Sequence, residues 1–480
     1  MERHHHHRQA ISEGFWPWLA KAFGMPALLA TPARATAPPP PSRLDKTTRE
    51  KLALLLGASG LQEDDAERAY FSNGGDLLDL LRRRLGDAGV APDGVLYPRN
   101  AMDVQGILAL CAELDIAVVP SGMGPTILHG NGRPMLALDL SGLNHILTHD
   151  PVSGLVEVEA GISGRELKRQ LDAQGVALGE EFESSLGGWI ASSDSTPTTV
   201  RGLTVATPRG LLNLDKGLHH LMAGSRGRLG VITSARLRIR QRPQDENCCA
   251  YLLSDFASGL ALLREITRLG LPHERLLLLD DGATRFERAL SRPSWNLGER
   301  FYDAWRLLRG FDDGAARLVI NFSGNQAQRK LARRNLEALA RRLGTFSLGA
   351  ATFAPAYPRD GLLDRGVGID QLQFFASWSD LPARYARLRA RLKQAMRDHP
   401  ALPGVRGLVL ARVSDVRSDG ALLTVTWLFA RRLQDEVAQA TAIREAALTA
   451  EMKGRQGLEQ QMLDAIKLAM DPKNILPPGH

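Results

Sequence analysis

The segment Pro120-Ser121-Gly122-Met123-Gly124-Pro125-Thr126 follows directly on the apolar run Ile116-Ala117-Val118-Val119. The run predicts a short buried strand that delivers the chain into the glycines. Because glycine has no Cβ atom, backbone N–H groups can approach an anion such as a pyrophosphate closely here. The spacing is neither that of a Walker loop nor that of a Rossmann fingerprint. A structural turn is the commoner explanation for such a segment taken alone.

Two further glycine segments follow along the chain, at 184–192 (SSLGGWIAS) and at 221–233 (LMAGSRGRLGVIT). In the segment 184–192, paired glycines beside a tryptophan allow a flat ligand to lie against the backbone. In the segment 221–233, small residues that lead into a strand also allow a ligand to contact the main chain closely. A tight turn with a core tryptophan, and a strand with glycine bends, are the structural alternatives.

Taken in this order, the three glycine segments resemble the FAD-binding domain of the vanillyl-alcohol oxidase/p-cresol methylhydroxylase family. The stretch 465–479, which reads AIKLAMDPKNILPPG, is similar to a further hallmark of that family. The resemblance covers about 93–480 and is nearest to the alkylglycerone-phosphate synthase-like and glycolate/D-lactate dehydrogenase-like members. The stretch that begins Tyr357-Pro358-Arg359-Asp360 resembles the synthase-like branch.

The resemblance implies an α+β protein with a two-part FAD-binding domain of the p-cresol methylhydroxylase type and an α+β substrate cap domain. It implies noncovalently bound FAD, since no histidine of the first glycine segment suggests a covalent link. The residues that it assigns to FAD are Pro120, Ser121, Gly122, Met123, Gly124, Pro125 and Thr126; Leu186, Gly187, Gly188, Trp189 and Ala191; and Gly224, Ser225, Gly227, Gly230, Val231 and Ile232.

Composition shifts and periodicity predict five regions. These are an N-terminal segment with a proline-rich linker (1–43), a helical lead-in (44–92), the FAD-binding domain (93–243), the cap domain (244–450) and a C-terminal helix returning to the FAD domain (451–480).

The C-terminal helix has apolar residues at helical spacing, which predict the face that packs on the FAD-binding domain. They are Leu458, Met462, Ala465, Ile466 and Ala469.

Several positions depart from the family pattern. Met123 and Pro125 replace glycines, Arg226 replaces a glutamate, and the stretch between Ala191 and Val205 is shortened. The strand in which the synthases present a tyrosine has Thr424, and residues 451–457 lack the family's histidines.

The catalytic residues are therefore left unassigned. Arg359, Tyr357 and Arg412 are the candidates for binding an anionic substrate, because guanidinium pairs with carboxylate or phosphate in a bidentate fork.

Composition excludes several classes of protein. Hydrophobic residues make up 44% and charged residues 24%, as in ordinary globular chains, and no apolar run predicts a membrane span. The net charge of +7 is scattered, which argues against nucleic-acid binding. The 3 cysteines have no metal-ligand spacing and fit a reducing cytoplasm, so we expect no metal site and a cytoplasmic protein.

The N-terminus leaves alternatives open. His4–His7 form either a natural metal-binding tract or a tag remnant. The aromatic run 15–20 (FWPWLA) is expected to dock on the protein's own surface, and a peripheral membrane contact is the alternative. A homodimer is compatible with the sequence.

Two functional hypotheses follow. The first is an FAD-dependent oxidoreductase-like protein acting on a small or lipid-linked hydroxy acid or phosphate ester, with an unknown electron acceptor. The alternative is a noncatalytic, degenerate relative that serves as a flavin-binding or interaction protein. The glycine segments favour the first, and the missing acid–base residues favour the second.

Overall fold

The chain forms two compact units in a computed structural model. Residues 34–242 with 453–480 form one unit, called the glycine-segment unit because it holds all three glycine segments. Residues 1–33 with 243–452 form the other, called the cap unit. The structure describes all residues except 1–10, 13, 35–36, 73–75, 88, 123–131, 194–195, 243–247, 292–310, 312–313, 323, 325, 354–356, 452–457 and 479–480.

The glycine-segment unit combines helices with two sheets. Its described helices are α2 (Lys46–Leu56), α3 (Asp65–Tyr70), α4 (Leu77–Arg84), α5 (Ala101–Glu113), α6 (Gly164–Ala173), α7 (Leu186–Ser192) and α14 (Leu458–Met470), with a 3₁₀ turn at Leu218–Met222. Its described strands are β1 (Leu61–Gln62), β2 (Gly94–Leu96), β3 (Ala117–Ser121), β4 (Met135–Asp139), β5 (Ile146–Asp150), β6 (Leu155–Glu159), β7 (Val176–Leu178), β8 (Val200–Thr207), β9 (Gly210–Leu214) and β10 (Val231–Gln241).

The two sheets of this unit differ in strand direction. The smaller has the order β1-β2-β4-β3, in which β2, β4 and β3 run parallel. The larger has the order β5-β6-β10-β8-β9, with β7 also paired to β10, and its pairs are antiparallel. The strand before the first glycine segment is thus β3, at the edge of the parallel sheet.

Residues 44–92, which were expected to be a helical lead-in, form helices α2, α3 and α4 and contribute to this unit's core. Leu52 and Leu56 of α2 are buried with Ile107 and Leu108 of α5. The segment also supplies strand β1, whose Leu61 pairs with Leu96 of β2.

The C-terminal helix α14 packs within the glycine-segment unit, but only some of the predicted positions take part in the packing. Ile466 and Met470 pack against the core of the larger sheet. Met462 is 58% exposed, and Ala465 and Ala469 are also exposed. Lys467, which an apolar pattern does not count, is buried as well.

The cap unit contains one large sheet with helices. Its described helices are α1 (Phe15–Phe23), α8 (Phe256–Arg268), α9 (Asp281–Leu290), α10 (Gln326–Arg342), α11 (Arg359–Leu363), α12 (Leu381–Asp398) and α13 (Glu436–Glu451). Its described strands are β11 (Cys248–Leu253), β12 (Arg275–Leu279), β13 (Ala316–Asn321), β14 (Phe346–Ala350), β15 (Val367–Ser377), β16 (Leu408–Ser414) and β17 (Gly420–Ala430).

The cap sheet has seven strands in the order β14-β11-β13-β12-β16-β17-β15. All of its recorded pairs are antiparallel. Helix α9 packs on β16 and begins at an N-cap, Asp280, whose carboxylate accepts a hydrogen bond from Ala283 N at 2.8 Å.

The N-terminal segment with its linker, predicted as residues 1–43, is divided between the two units at residue 33. Phe15, Leu19 and Phe23 of α1 are fully buried in the core of the cap unit, as expected for aromatics that dock on the protein itself. Phe15 meets Phe286 of α9 edge-on, with ring centroids 5.3 Å apart. The run His4–His7 lies outside the described residues.

No helix within the described part of the chain is both long enough and apolar enough to cross a membrane.

Candidate functional site

The first glycine segment begins where β3 ends. Gly122 lies against the second segment so closely that a Cβ atom placed on it would overlap Ser185 Oγ. Only glycine fits this position without a shift of β3 or of the chain before α7. Met123, Gly124, Pro125 and Thr126 lie outside the described residues.

The second segment forms the short helix α7, where the structural alternative was a tight turn. Ser185 caps it, and its Oγ accepts a hydrogen bond from Gly188 N at 3.2 Å. Gly187 N donates a hydrogen bond to Ala160 O at 2.7 Å, so this amide already has a partner within the protein. Trp189 is half-buried and stacks on Phe182, with ring centroids 4.6 Å apart.

The third segment is a strained turn that contacts both of the others. Gly224, Arg226 and Gly227 all have positive φ angles, of 69°, 48° and 79°. A Cβ atom on Gly227 would lie 2.7 Å from Pro120 Cγ, which brings this turn against the first segment. Arg226 N donates to Ala191 O at 2.9 Å, which ties the turn to α7. The three segments therefore converge.

Ser225 lies at this convergence. Its side chain is buried, with 8% of the residue exposed, and its hydroxyl has no hydrogen-bond partner among the described residues. A buried hydroxyl without a partner is costly, so a ligand that supplies one would relieve the cost. The glycines leave room for a ligand to contact the backbone, and the Ser225 hydroxyl can form a hydrogen bond with it. Both features fit the polar groups of FAD.

Some residues that were assigned to FAD are core residues. Leu186 and Ile232 are buried in the core of the larger sheet, and Val231 is buried in the core of the parallel sheet. Gly230 packs on β8, since a Cβ atom there would lie 2.5 Å from Val205 Cγ1. The side chains of Leu186, Val231 and Ile232 are used in core packing, so these residues could reach a cofactor only through their main chain.

Two of the three predicted substrate-binding residues meet in the cap unit. Arg412 on β16 donates from Nε to Tyr357 Oη at 3.0 Å, and its guanidinium lies 4.0 Å from the centre of the Tyr357 ring. Burial raises the pKa of Tyr357, so its phenol stays protonated. Arg359, in contrast, begins α11 and has interactions of its own.

Sequence reasoning missed the carboxylate and the second arginine of this cluster. Glu287 on α9 accepts a hydrogen bond from Arg412 Nη2 at 2.9 Å, and Arg317 Nη1 on β13 lies 3.9 Å from the other oxygen of the same carboxylate. Burial raises the pKa of Glu287, and the two arginines oppose this shift. Its place on the buried side of an amphipathic helix was the only available signal.

The cluster lies along one row of the cap sheet. Pairing across the strands places Arg317, Leu279, Arg412, Thr424 and Gln373 in line, from β13 to β15. Residues directly opposite one another in antiparallel strands share a face of the sheet. Thr424, which stands where the resemblance expects a tyrosine, is therefore a neighbour of Arg412.

A second buried polar cluster lies at the start of α9. Tyr385 donates to Asp280 Oδ2 at 2.9 Å, and Arg389 pairs with Asp281 at 2.6 Å. Asp280 is fully buried, and burial raises its pKa to about 6. Within the described parts of both units, no group of His, Cys, Asp and Glu side chains could hold a metal ion.

Comparison with known proteins supports the cofactor site. The FAD binding domain family matches residues 92–213. An alkyldihydroxyacetonephosphate synthase from Dictyostelium discoideum is 26% identical over 80% of this chain and 68% of its own length. A mitochondrial D-2-hydroxyglutarate dehydrogenase from Arabidopsis thaliana is 28% identical over 47% of this chain and 44% of its own length.

Two solved structures share the fold. An alkyldihydroxyacetonephosphate synthase superposes with a TM-score of 0.81 at 24% identity, covering 97% of this chain and 91% of its own. A substrate-bound p-cresol methylhydroxylase gives a TM-score of 0.64 at 14% identity, covering 92% of this chain and 98% of its own. The predicted fold class is confirmed. Residues 92–213 therefore match an FAD binding domain, and the chain has alkyldihydroxyacetonephosphate synthases and D-2-hydroxyglutarate dehydrogenases among its relatives and p-cresol methylhydroxylase among its structural neighbours.

Proposed function

We propose that this chain binds FAD noncovalently and oxidises a small or lipid-linked substrate that is a hydroxy acid or a phosphate ester. The observation that carries the proposal is the convergence of the three glycine segments around the buried, unpartnered hydroxyl of Ser225. FAD, when bound, supplies the acceptor for two electrons. The main chain of the first and third segments, with Ser225 Oγ, would hold it.

The cap cluster is suited to an anionic substrate. The charges of Arg317 and Arg412 exceed that of Glu287 by one, so the cluster keeps a net positive charge. A guanidinium has five N–H donors, and Arg412 uses two of them, for Tyr357 and Glu287. The three others can bind a carboxylate or a phosphate in a bidentate fork. Tyr357, whose oxygen already accepts from Arg412, keeps its own proton for donation to a substrate oxygen.

A noncatalytic relative is the second candidate, and a specific observation favours it. Thr424 lies beside Arg412, where the family resemblance expects a tyrosine, and threonine has no pKa near neutral pH with which to transfer a proton. The cluster of Tyr357, Arg412, Glu287 and Arg317 contains no histidine. This candidate predicts ligand binding without fast chemistry, and no synthase turnover.

One series of measurements separates the two candidates. The purified protein is expected to show flavin absorption bands and to release FAD into the supernatant on acid precipitation. Anaerobic mixing with a panel of 2-hydroxy acids and phosphate esters then tests whether any of them bleaches the flavin. Bleaching at many turnovers per second supports the enzyme, and a bound ligand without bleaching supports the noncatalytic relative. A colourless protein that takes up no FAD contradicts the enzyme and the flavin-binding form of the second candidate.

The variant Arg412→Met tests the anion site. It is expected to abolish the response to the substrate while FAD stays bound. Arg268→Met is the matched control, because Arg268 is an exposed arginine of the same unit that pairs with Glu265 on its own helix.

A further inference from the structure

The C-terminal tail contains a buried ion pair that contacts the third glycine segment. Lys467 on α14 is 7% exposed, and its Nζ donates to Asp471 Oδ2 at 2.6 Å. The same Nζ donates to Arg228 O at 2.9 Å, within the strained turn that follows Ser225. A third bond runs to Leu476 O at 3.3 Å, so all three hydrogens of the ammonium are used.

Asp471 organises the last turn of the chain. It is 1% exposed, and its carboxylate accepts hydrogen bonds from Ile475 N at 3.1 Å and from Leu476 N at 2.9 Å. Both amides belong to the turn that Pro472 forces after the helix. The carboxylate therefore fixes the direction in which the main chain of Ile475 points.

That main chain reaches the strand of the first glycine segment. Ile475 O accepts a hydrogen bond from Val118 N at 2.8 Å, on β3 and two residues before Pro120. One continuous set of bonds thus runs from the third segment through Lys467 and Asp471 to β3. Pro120 and Gly227, at the two ends of this set, are themselves in contact.

Burying an ion pair costs desolvation free energy, so it is an unfavourable means of holding the C-terminal helix in place. Burial lowers the pKa of Lys467, which shows that desolvation opposes its charge. Apolar residues of similar size often stabilise a fold as well or better, so the advantage of a buried pair lies in fixed geometry.

We propose that Lys467 and Asp471 are positioning residues, which hold the turn 224–230 and the end of β3 in the register that binds FAD. This inference rests on the proposed function for its ligand, but the positioning can be tested without it. Lys467 acts through Arg228 O and touches no reacting atom.

The test compares Lys467→Met with the wild-type full-length chain by FAD titration and by hydrogen exchange on the apo protein, at a temperature where both are folded. We expect FAD affinity to fall by about tenfold or more, as for the loss of hydrogen bonds to a charged group. The amides of 224–230 should exchange faster, while those of β6 (155–159) keep their protection. The bound flavin of the variant should also be less quenched in fluorescence.

The matched control is Arg209→Ala. Arg209 also contacts α14, through Ala469 O at 3.2 Å, but among the described residues it makes no hydrogen bond to the turn 224–230. It is expected to leave FAD affinity within about twofold of wild type. If Lys467→Met is insoluble, Asp471→Asn, which keeps one oxygen acceptor, serves in its place.

The outcomes separate the two claims. A variant with wild-type affinity and wild-type exchange overturns the positioning role, as does faster exchange that is uniform across the unit. Wild-type protein that takes up no FAD overturns the proposed function, and the exchange measurement still decides whether the pair positions the turn.

Discussion

In the glycine-segment unit the candidate cofactor site is built from main chain, whereas in the cap unit the candidate substrate site is built from charged side chains. The first depends on positions where a Cβ atom does not fit, such as Gly122 and Gly227. The candidate substrate site depends on the balance of charge between the Glu287 carboxylate and the two arginines beside it. The difference implies that substitutions should damage the first by steric overlap and the second by leaving a charge without its partner.

The largest effect is expected for Gly122→Val. The new side chain would overlap Ser185, so β3 or the N-terminus of α7 must move away from the converged segments. FAD binding should become undetectable, a loss of more than about a thousandfold or about 4 kcal/mol. The measurement is FAD titration followed by flavin fluorescence.

Gly142→Ala is the control for this substitution. A Cβ atom there would meet only Pro98 O, at an ordinary 3.6 Å. If Gly122→Val bound FAD as tightly as this control does, the site would not depend on close contact between FAD and the main chain at the end of β3. That result would contradict the claim that the cofactor site is built from main chain.

The next effect is expected for Arg412→Met, this time on stability. It removes the closer cation from Glu287, whose remaining partner, Arg317, is 3.9 Å away. We expect a loss of about 3 kcal/mol in the free energy of unfolding at pH 7, measured in urea, because a buried charge loses its partner. Losing the cation raises the pKa of Glu287 further, so the deficit should shrink as the pH falls and the carboxyl takes up a proton.

A double variant isolates the charge effect. Replacing both Arg412 and Glu287 by methionine should recover part of the stability, since the buried carboxylate is then absent and the charge that loses it, Arg317, is partly exposed. A double variant that is as unstable as the sum of the two single variants would indicate that packing, and not charge, dominates the cap cluster.

A smaller effect concerns pH. Burial raises the pKa of Asp280 to about 6 in the folded protein, above its unfolded value near 4. Between these values the folded state binds more protons than the unfolded state, so this group lowers stability as the pH rises through that window. Asp280→Asn cannot ionise, and its stability relative to wild type should rise by about 2–3 kcal/mol from pH 4 to pH 7. Urea unfolding at both pH values measures this, and a difference that stays constant with pH would contradict it.

The same contrast explains what the sequence could predict. The three glycine segments are local and contiguous, and glycine at a crowded turn leaves a signature that does not depend on distant residues. The cap cluster is assembled from β13, β16, α9 and the chain before α11, which only the folded sheet brings together. Tyr357 and Arg412 were found through the family resemblance and residue type. Glu287 and Arg317 were not, because the position of Glu287 on the buried side of an amphipathic helix does not reveal its partners, and the sequence around Arg317 carries no comparable signal.

The C-terminal helix α14 is a second case in which the sequence predicts an element but not its long-range contacts. The helix was predicted, but three of the predicted packing positions are exposed, and an apolar pattern cannot indicate that a lysine is buried. Pairing between Lys467 and Asp471 at i, i+4 is an ordinary helical spacing, typical of exposed ion pairs. Only the contacts with Arg228 O and with the turn at Ile475 distinguish it.

The smallest and most specific effect is expected for Ser225→Ala. The hydroxyl has no partner among the described residues, so its removal should leave the stability of the apo protein unchanged or slightly higher. If FAD supplies the missing partner, affinity should fall by about fivefold to tenfold, the value of one hydrogen bond of about 1 kcal/mol. Ser193→Ala is the control, since that hydroxyl already donates to Trp189 O at 2.7 Å. Thermal melting with and without FAD measures both the stability of the apo protein and the stabilisation by FAD. An equal loss of stability in apo and FAD-bound protein would show that Ser225 has a partner within the protein, and that the glycine segments converge for packing alone.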